Sequence, residues 1–227
     1  VVTEKERALC ADLGACLKYS TEHIDEHIDS LAAYKIIYTT GFFISSNVEA
    51  LKKLAKNATE HNKTFAFNLS AVFLIDAFKD DYKEFLEHAD IVFGNEDECD
   101  AFGKAHEVGS TDRKDIAQYI AKLPKKTDKP RTVIMHQGPQ PAIVSIHDPA
   151  KNETNTNNFE FDVLPSEKVI DTNSAGDAFA GGYLAALAKG HSHETAMKAA
   201  AYCARYIIQT SGCSFTTPCD FQYPELS

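Results

Sequence analysis

Lys35-Ile-Ile-Tyr-Thr-Thr-Gly41 and Thr64-Phe-Ala-Phe-Asn68 are two short apolar runs rich in β-branched and aromatic residues. Between them, Ser46-x-x-Glu49 opens a segment carrying Leu51, Leu54, Ala55 and Ala58 at helical spacing. Strand, helix, strand is the order of a crossover unit, which joins parallel strands rather than a hairpin. The same alternation continues outward. Helical patterns at Ala71–Phe78 and Asp81–His88 lead to the apolar run Asp90–Phe93. Asn95 then caps a helix through about Lys104, and Thr111–Leu123 is a further helix stopped by Pro124. Arg131–His136 is the next strand. Ala142–His147 and Phe159–Val163 read as two more, joined by a polar Asn-rich loop, Lys151–Asn158. Two helices close the chain, about Ala175–Lys189 and Ser192–Thr210. Upstream, Thr3-x-x-Glu6 with Leu9, Leu13 and Leu17 predicts a helix from about Thr3 to Tyr19. The expected class is an α/β sandwich with a mainly parallel central sheet and antiparallel strands at one edge. With no linker or internal repeat, residues 1–227 read as one domain.

Composition narrows the function classes. The 227 residues carry 23 Lys plus Arg against 33 Asp plus Glu, a formal net charge of −10. No basic block forms a footprint for a nucleic acid polymer or an anionic membrane. A small anion needs only a few amides and one or two cations, so a nucleotide stays within reach. The six cysteines include no C-x-x-C, which argues against a zinc knuckle and for reduced thiols in the cytoplasm, with the nucleus as a second location. The chain begins Val1-Val2-Thr3 rather than Met, and reads as a piece of something longer.

The chemistry concentrates at Asp171-Thr-Asn-Ser-Ala-Gly-Asp-Ala-Phe-Ala-Gly-Gly-Tyr183. The small turn Ser174-Ala175-Gly176 runs into a helix whose first N–H groups have no internal partner. With the positive end of the helix dipole they make an anion site. Asp177 at that start is awkward as a phosphate ligand. It suits a base that takes a proton from a hydroxyl attacking phosphorus. An equally simple reading is that Asp177 complements the dipole and Gly176 fits a tight turn.

The segment resembles the D-T-x-G-A-G-D-x-F signature of the ribokinase-like (PfkB) carbohydrate and nucleoside kinases. Gly41-Phe-Phe, Phe67-Asn-Leu-Ser-Ala71, Ile91-Val-Phe-Gly-Asn-Glu-x-Glu98, Gln137-Gly138 and Ser211-Gly-Cys-Ser-Phe215 are similar to the adenosine-kinase branch of that family, in order and spacing. The resemblance implies a ribokinase-like three-layer sandwich, with the lid domain and first strands outside this chain. It implies transfer of the ATP γ-phosphoryl to the adenosine 5′-hydroxyl with Mg2+, by a monomer, with a monovalent cation such as K+ as a further candidate. By position Asp177 would be the base, with Ser174, Ala175 and Gly176 as the anion hole. Arg7 and Asn173 would reach phosphate. Phe42 would stack on the acceptor adenine, with Leu9, Ala11 and Leu13 lining the same pocket. Gln137 and Gly138 would approach ATP. Asn95 and Glu98 would act on Mg2+ through water, and Asp171 with the Ser211–Cys213 loop would lie near the monovalent cation. Two other readings stay open: a kinase for another nucleoside or a sugar, and a catalytically silent nucleotide-binding protein.

Several of these residues have plainer explanations. Asn95 and Glu98 form an ordinary capping box. Phe42-Phe43 after a strand suits a core. His23-x-x-x-His27 lies amid Glu22, Asp25, Glu26 and Asp29, and without a third ligand it reads as a solvated acidic face. Ser174 stands where the signature has Gly. If φ is positive there, Ser costs about 1 kcal/mol or more; if the backbone is an extended N-cap, Ser is comfortable.

Overall fold

The computed structural model describes the backbone at residues 2–3 and 6–7 and the full residues 12–215 and 219–225. The chain divides into two compact units, Leu13–Phe159 and a second built from Val1–Asp12 with Glu160–Ser227.

The larger unit holds a six-stranded sheet in the sequential order β3 (Ile36–Thr40), β4 (Thr64–Asn68), β5 (Ile91–Asn95), β6 (Arg131–Gln137), β7 (Gln140–Asp148) and β8 (Glu153–Phe159). The first four strands are parallel; β7 and β8 add antiparallel pairs. This is the mainly parallel sheet with an antiparallel edge that the sequence predicts. Its crossovers run through α2 (Phe42–Ser46), α3 (Val48–Glu60), α4 (Val72–Ala77), α5 (Lys79–His88), α6 (Glu96–Ala105) and α7 (Arg113–Lys122). Phe65, Phe67, Val92, Val133 and Met135 point from the strands into one core with Leu51, Phe85, Phe102 and Ile120 from the helices. The alternate strand positions Ala66, Ile91, Phe93, Thr132 and Ile134 are buried as well. That explains why the central strands read as continuous apolar runs instead of alternating ones.

Three local expectations are corrected. Thr3–Tyr19 is not one helix. Val2–Thr3 (β1) and Glu6–Arg7 (β2) pair antiparallel with Thr3 opposite Glu6, and Gly14–Lys18 is a 3-10 turn. A Thr and a Glu three apart can stand opposite each other in paired strands as readily as in a helix cap. Asn47, rather than Ser46, caps α3, its side chain accepting from the Ala50 amide at 2.9 Å. The Asn-rich stretch is strand β8, and among the described residues no strand follows Phe159. Thr156 meets Ser145 and Thr154 meets His147, each at 2.9 Å, so this polar edge strand is held by cross-strand hydroxyls with asparagines outward.

Arg131, at the start of β6, is 1% exposed. Its guanidinium donates to the carbonyls of Leu86, Ala89, Ile120, Leu123 and Pro124, the last-turn and exit carbonyls of α5 and α7. Those helix ends are thereby satisfied by a positive group of the sign their dipoles favour.

The smaller unit pairs α8 (Ala175–Ala188) with α9 (His193–Ile207), the latter capped by Ser192. A Cβ on Gly182 would lie 2.7 Å from the Ala199 carbonyl oxygen and 2.9 Å from Cys203 Sγ, so the glycine permits the close crossing. Among the described residues no helix is long and apolar enough to cross a membrane.

Candidate functional site

In a parallel sheet, ligands bind beyond the carboxyl ends of the strands. At those ends the larger unit places Phe42, Asn95, Glu98, Gln137 and Gly138. Gly41 follows β3, and its amide donates to the Asn68 carbonyl at 2.8 Å and to Ser70 Oγ at 2.9 Å. A Cβ there would stand 2.4 Å from Tyr82 Oη and 2.7 Å from the Leu69 oxygen, so only glycine fits. Phe42, next in the chain, is 50% exposed. Its neighbour Phe43 is half-buried, edge-on to Tyr19 at 5.1 Å. The core reading therefore holds for Phe43 and fails for Phe42. The ring of Phe73, on α4, lies 6.4 Å from that of Phe42 and is 64% exposed. Sequence reasoning missed Phe73: it belongs to a different crossover, and only the packing brings the two rings together.

Asn95 ends β5 and caps α6 with a complete capping box. Asn95 Oδ1 accepts from the Glu98 amide at 2.8 Å. Glu98 accepts from the Asn95 amide at 3.0 Å and from Asn95 Nδ2 at 2.9 Å. Glu98 is buried, and burial pushes its carboxyl up to about 7 against the opposing pull of the Asn95 and Ser70 amides. These two side chains spend their polar atoms on each other and on local backbone.

Gln137 ends β6. Its Nε2 donates to the Pro141 carbonyl at 2.7 Å and its Oε1 accepts from Arg113 at 3.4 Å. Gly138 has φ +54° in the turn that follows. Both therefore shape the β6–β7 turn. Gln137 lines an open groove of about 940 Å3 with Arg113, Asp100 and Asn158, away from the aromatic pair. Leu13 is exposed at the start of the 3-10 turn. Leu9 and Ala11 lie outside the described residues, as does the side chain of Arg7.

The smaller unit carries the anion-site segment. Asp171 Oδ1 accepts from the Asn173 amide at 2.9 Å and Oδ2 from the Gly212 amide at 3.1 Å. The 211–213 loop is thus tied to the turn before α8, the pair of segments expected to lie together near a monovalent cation. With Asp171 already shared by two amides, that carboxylate is a hinge pin first. Ser174 takes φ 59°, ψ 12°, the left-handed region, and its side chain makes no capping bond. The extended N-cap alternative is overturned. The Ala175 amide donates to the Thr172 carbonyl at 3.3 Å. Among the described residues the amides of Gly176 and Asp177 meet no acceptor, as the first turn of a helix leaves them. Of the three amides expected in the anion hole, that of Ala175 is engaged in the turn, while those of Ser174 and Gly176 meet no acceptor among the described residues; the Asp177 amide is an addition to the expected set. Asp177 is exposed in that same first turn. It opens onto a groove of about 560 Å3 floored by Gly181 and Ala185 and walled by Ile207, Phe215 and Tyr223. The signal for the groove was in the sequence, as small residues four and eight positions beyond Asp177.

A family model, the pfkB family carbohydrate kinases, matches residues 1–219. The chain belongs to this family. Within it, the chain is 37% identical to Adenosine kinase 2 of Arabidopsis thaliana over 95% of its own length and 62% of that protein's. It is 36% identical to adenosine kinase of Saccharomyces cerevisiae, covering 61% of that protein. The crystal structure of Anopheles gambiae adenosine kinase in complex with P1,P4-di(adenosine-5) tetraphosphate matches with a TM-score of 0.89 at 35% identity, over 97% of this chain and 64% of that one. Adenosine kinase from Schistosoma mansoni in complex with 2-fluoroadenosine gives 0.89 at 36%, over 96% and 63%. The chain thus spans about three fifths of the length of these relatives. The pfkB match and these structures show the ribokinase-like fold.

Proposed function

We propose that the protein to which this chain belongs transfers the γ-phosphoryl group of ATP to the 5′-hydroxyl of adenosine. The observation that carries the reading is the start of α8. Asp177 lies in one helical turn with two unpaired amides, at the positive end of the helix, in a chain similar over 95% of its length to an adenosine kinase. Phosphoryl transfer asks the protein mainly for positioning and charge stabilisation. The Gly176 and Asp177 amides suit charge on the equatorial oxygens of the moving phosphoryl group. The Asp177 carboxylate accepts the proton that the attacking hydroxyl loses. Phe42, exposed beside Phe73, offers a face on which a purine stacks. The relatives bound to adenosine analogues and dinucleotides support this choice of acceptor over a sugar. Mg2+ supplies charge neutralisation when it accompanies the nucleotide; Asn95 and Glu98 hold the end of β5 for it and are not its direct ligands.

The test is Asp177→Asn in the complete protein, with adenosine, other nucleosides and ribose compared as acceptors. Turnover of adenosine is expected to fall by about 10²–10⁴-fold with ATP binding little changed, the range lost with a general base. Turnover like the parent's would return Asp177 to a helix-dipole role. A preference for ribose would move the reading to a sugar kinase.

A further inference from the structure

The helix α1 (Thr21–His27) reads from the sequence as a solvated acidic face. The structure organises it differently. His23 and His27 stand at i and i+4, with Glu26 at i+3, so all three project from one side of the helix. One ring nitrogen from each histidine and one Glu26 oxygen lie within 4.8 Å of one another. The two imidazoles meet edge to face at 4.5 Å between centroids. Tyr19 braces His23 edge-on at 5.3 Å, and the Tyr19 carbonyl accepts from Asn47 Nδ2 at 2.9 Å. Asp25, another acid on this helix, is engaged by Lys53 at 2.6 Å. The third donor that the sequence lacked is Glu26.

We propose that His23, Glu26 and His27 form a binding site for a single late divalent transition-metal ion of the Zn2+, Ni2+ or Cu2+ type. Two imidazoles and a carboxylate are a donor set for these borderline ions and not for Mg2+ or Ca2+, which take oxygen. The order His-x-x-Glu-His is one in which a helix presents a zinc-binding pair with an acid alongside. Tetrahedral ligands about 2.0–2.1 Å from zinc stand roughly 3.3 Å apart. All three side chains are exposed, so closing from within 4.8 Å takes only small rotations of surface groups. Glu22 and Asp29 add negative charge around the same helix. Water completes the coordination, because no fourth protein donor converges there among the described residues. Binding clamps the final turn of α1, just where the chain passes through the 3-10 segment Ile28–Ala33 into β3. The site does not depend on the kinase reading.

The experiment is calorimetric titration of the full-length protein, free of any affinity tag, with Ni2+ and with Zn2+. Each is repeated in excess Mg2+. The parent is expected to bind one ion saturably, with no competition from Mg2+. His23→Gln and His27→Gln should each weaken that binding by about tenfold or more, the least that disturbing a metal's ligand shell usually costs. His61→Gln, an exposed histidine on the far end of α3, should bind like the parent. Circular dichroism of each variant verifies that the exposed substitutions leave the fold intact. Absence of saturable binding overturns the proposal. So does equal affinity in the His23 and His27 variants, which would place the ion elsewhere, on the neighbouring thiols Cys203 and Cys219 for example.

Discussion

Ser174→Gly should make the protein more stable. At φ 59°, ψ 12° the Ser174 Cβ crowds the backbone, a cost of about 1–2 kcal/mol for an L-residue in the left-handed region. Its hydroxyl returns nothing visible, since the side chain makes no capping bond. Glycine removes the crowding but widens the unfolded ensemble, at a cost of about 0.4–1 kcal/mol. The midpoints of the two ranges leave a net gain of about 0.8 kcal/mol. For a chain of this length, each kcal/mol moves the melting midpoint by about 2–4 °C, so a rise of about 1–4 °C is expected. Differential scanning calorimetry of the parent and the variant reads it directly.

Two companions sharpen the test. Ser174→Ala keeps the crowded Cβ and removes only the hydroxyl, so it should melt with the parent. Ser174→Val adds a β-branch that this conformation tolerates poorly and should melt lower. Turnover of adenosine by the complete protein should change by less than about tenfold in the Gly variant. The serine already holds its backbone in the conformation glycine favours, so the amides after it point the same way. Loss of one misdirected donor would instead be worth about 10²–10³-fold. A Gly variant that melts below the parent, or an Ala variant that falls with it, refutes the reasoning by showing that the hydroxyl is a bonding partner. A gain in turnover of a hundredfold or more would show that Ser174 spoils the anion site, and would favour the catalytically silent reading.

Glu98 should make stability fall with rising pH. Its carboxyl is raised from 4.5 to about 7, so the folded protein keeps a proton that the unfolded chain releases. That contribution is fully present below pH 4.5 and is lost as pH passes through about 7, a change of roughly 3 kcal/mol. Urea unfolding of Glu98→Gln beside the parent at pH 5 and pH 8 isolates it: the variant should gain on the parent at the higher pH, and a gap that ignores pH refutes the assignment. Arg131→Met should cost at least about 3 kcal/mol, because several buried carbonyls at the ends of α5 and α7 lose their donor together. A loss below about 1 kcal/mol in chemical denaturation would mean that those carbonyls find other partners.

What was legible in the sequence was local. Asn95 and Glu98 are three residues apart, and a capping box is complete within one helical turn, so pattern and structure agree. The turn into α8 is equally short-range, and Asp177 falls where the anion-site reading puts it. Patterns with two local solutions went the other way. Thr3 and Glu6 suit both a helix cap and a cross-strand pair, and the strand pair formed. The asparagines of β8 look like a loop because an edge strand needs only one apolar or hydroxyl face; Phe159, taken for the start of a strand, is its last residue, paired with Ala142. The sign of φ at Ser174 has no sequence signature when the residue is not glycine.

The partnership of Phe42 with Phe73 shows a different limit, and explains why the exposed rings are well placed to do something. Each sits just after a strand end that is tied down by polar contacts. Ser70 Oγ accepts from the Gly41 amide, the Ser70 amide donates to Asn68 Oδ1 at 2.9 Å, and the Leu69 amide donates to the Phe93 carbonyl at 2.8 Å. Tyr82 Oη adds a bond to the Leu69 carbonyl at 2.6 Å, and Glu98 reaches back toward Ser70. The ends of β3, β4 and β5 are therefore one connected network, and a satisfied buried network is rigid. Burying an exposed ring against a ligand gains apolar area, while ordering a loop to hold that ring costs entropy. Here the backbone leading to both rings is held by that network, Phe42 directly after Gly41 and Phe73 on α4 beyond the tied 68–70 segment. The aromatic pair is thus a preformed surface, and the network beneath it, assembled from three crossovers far apart in sequence, is what no reading of any one segment could supply.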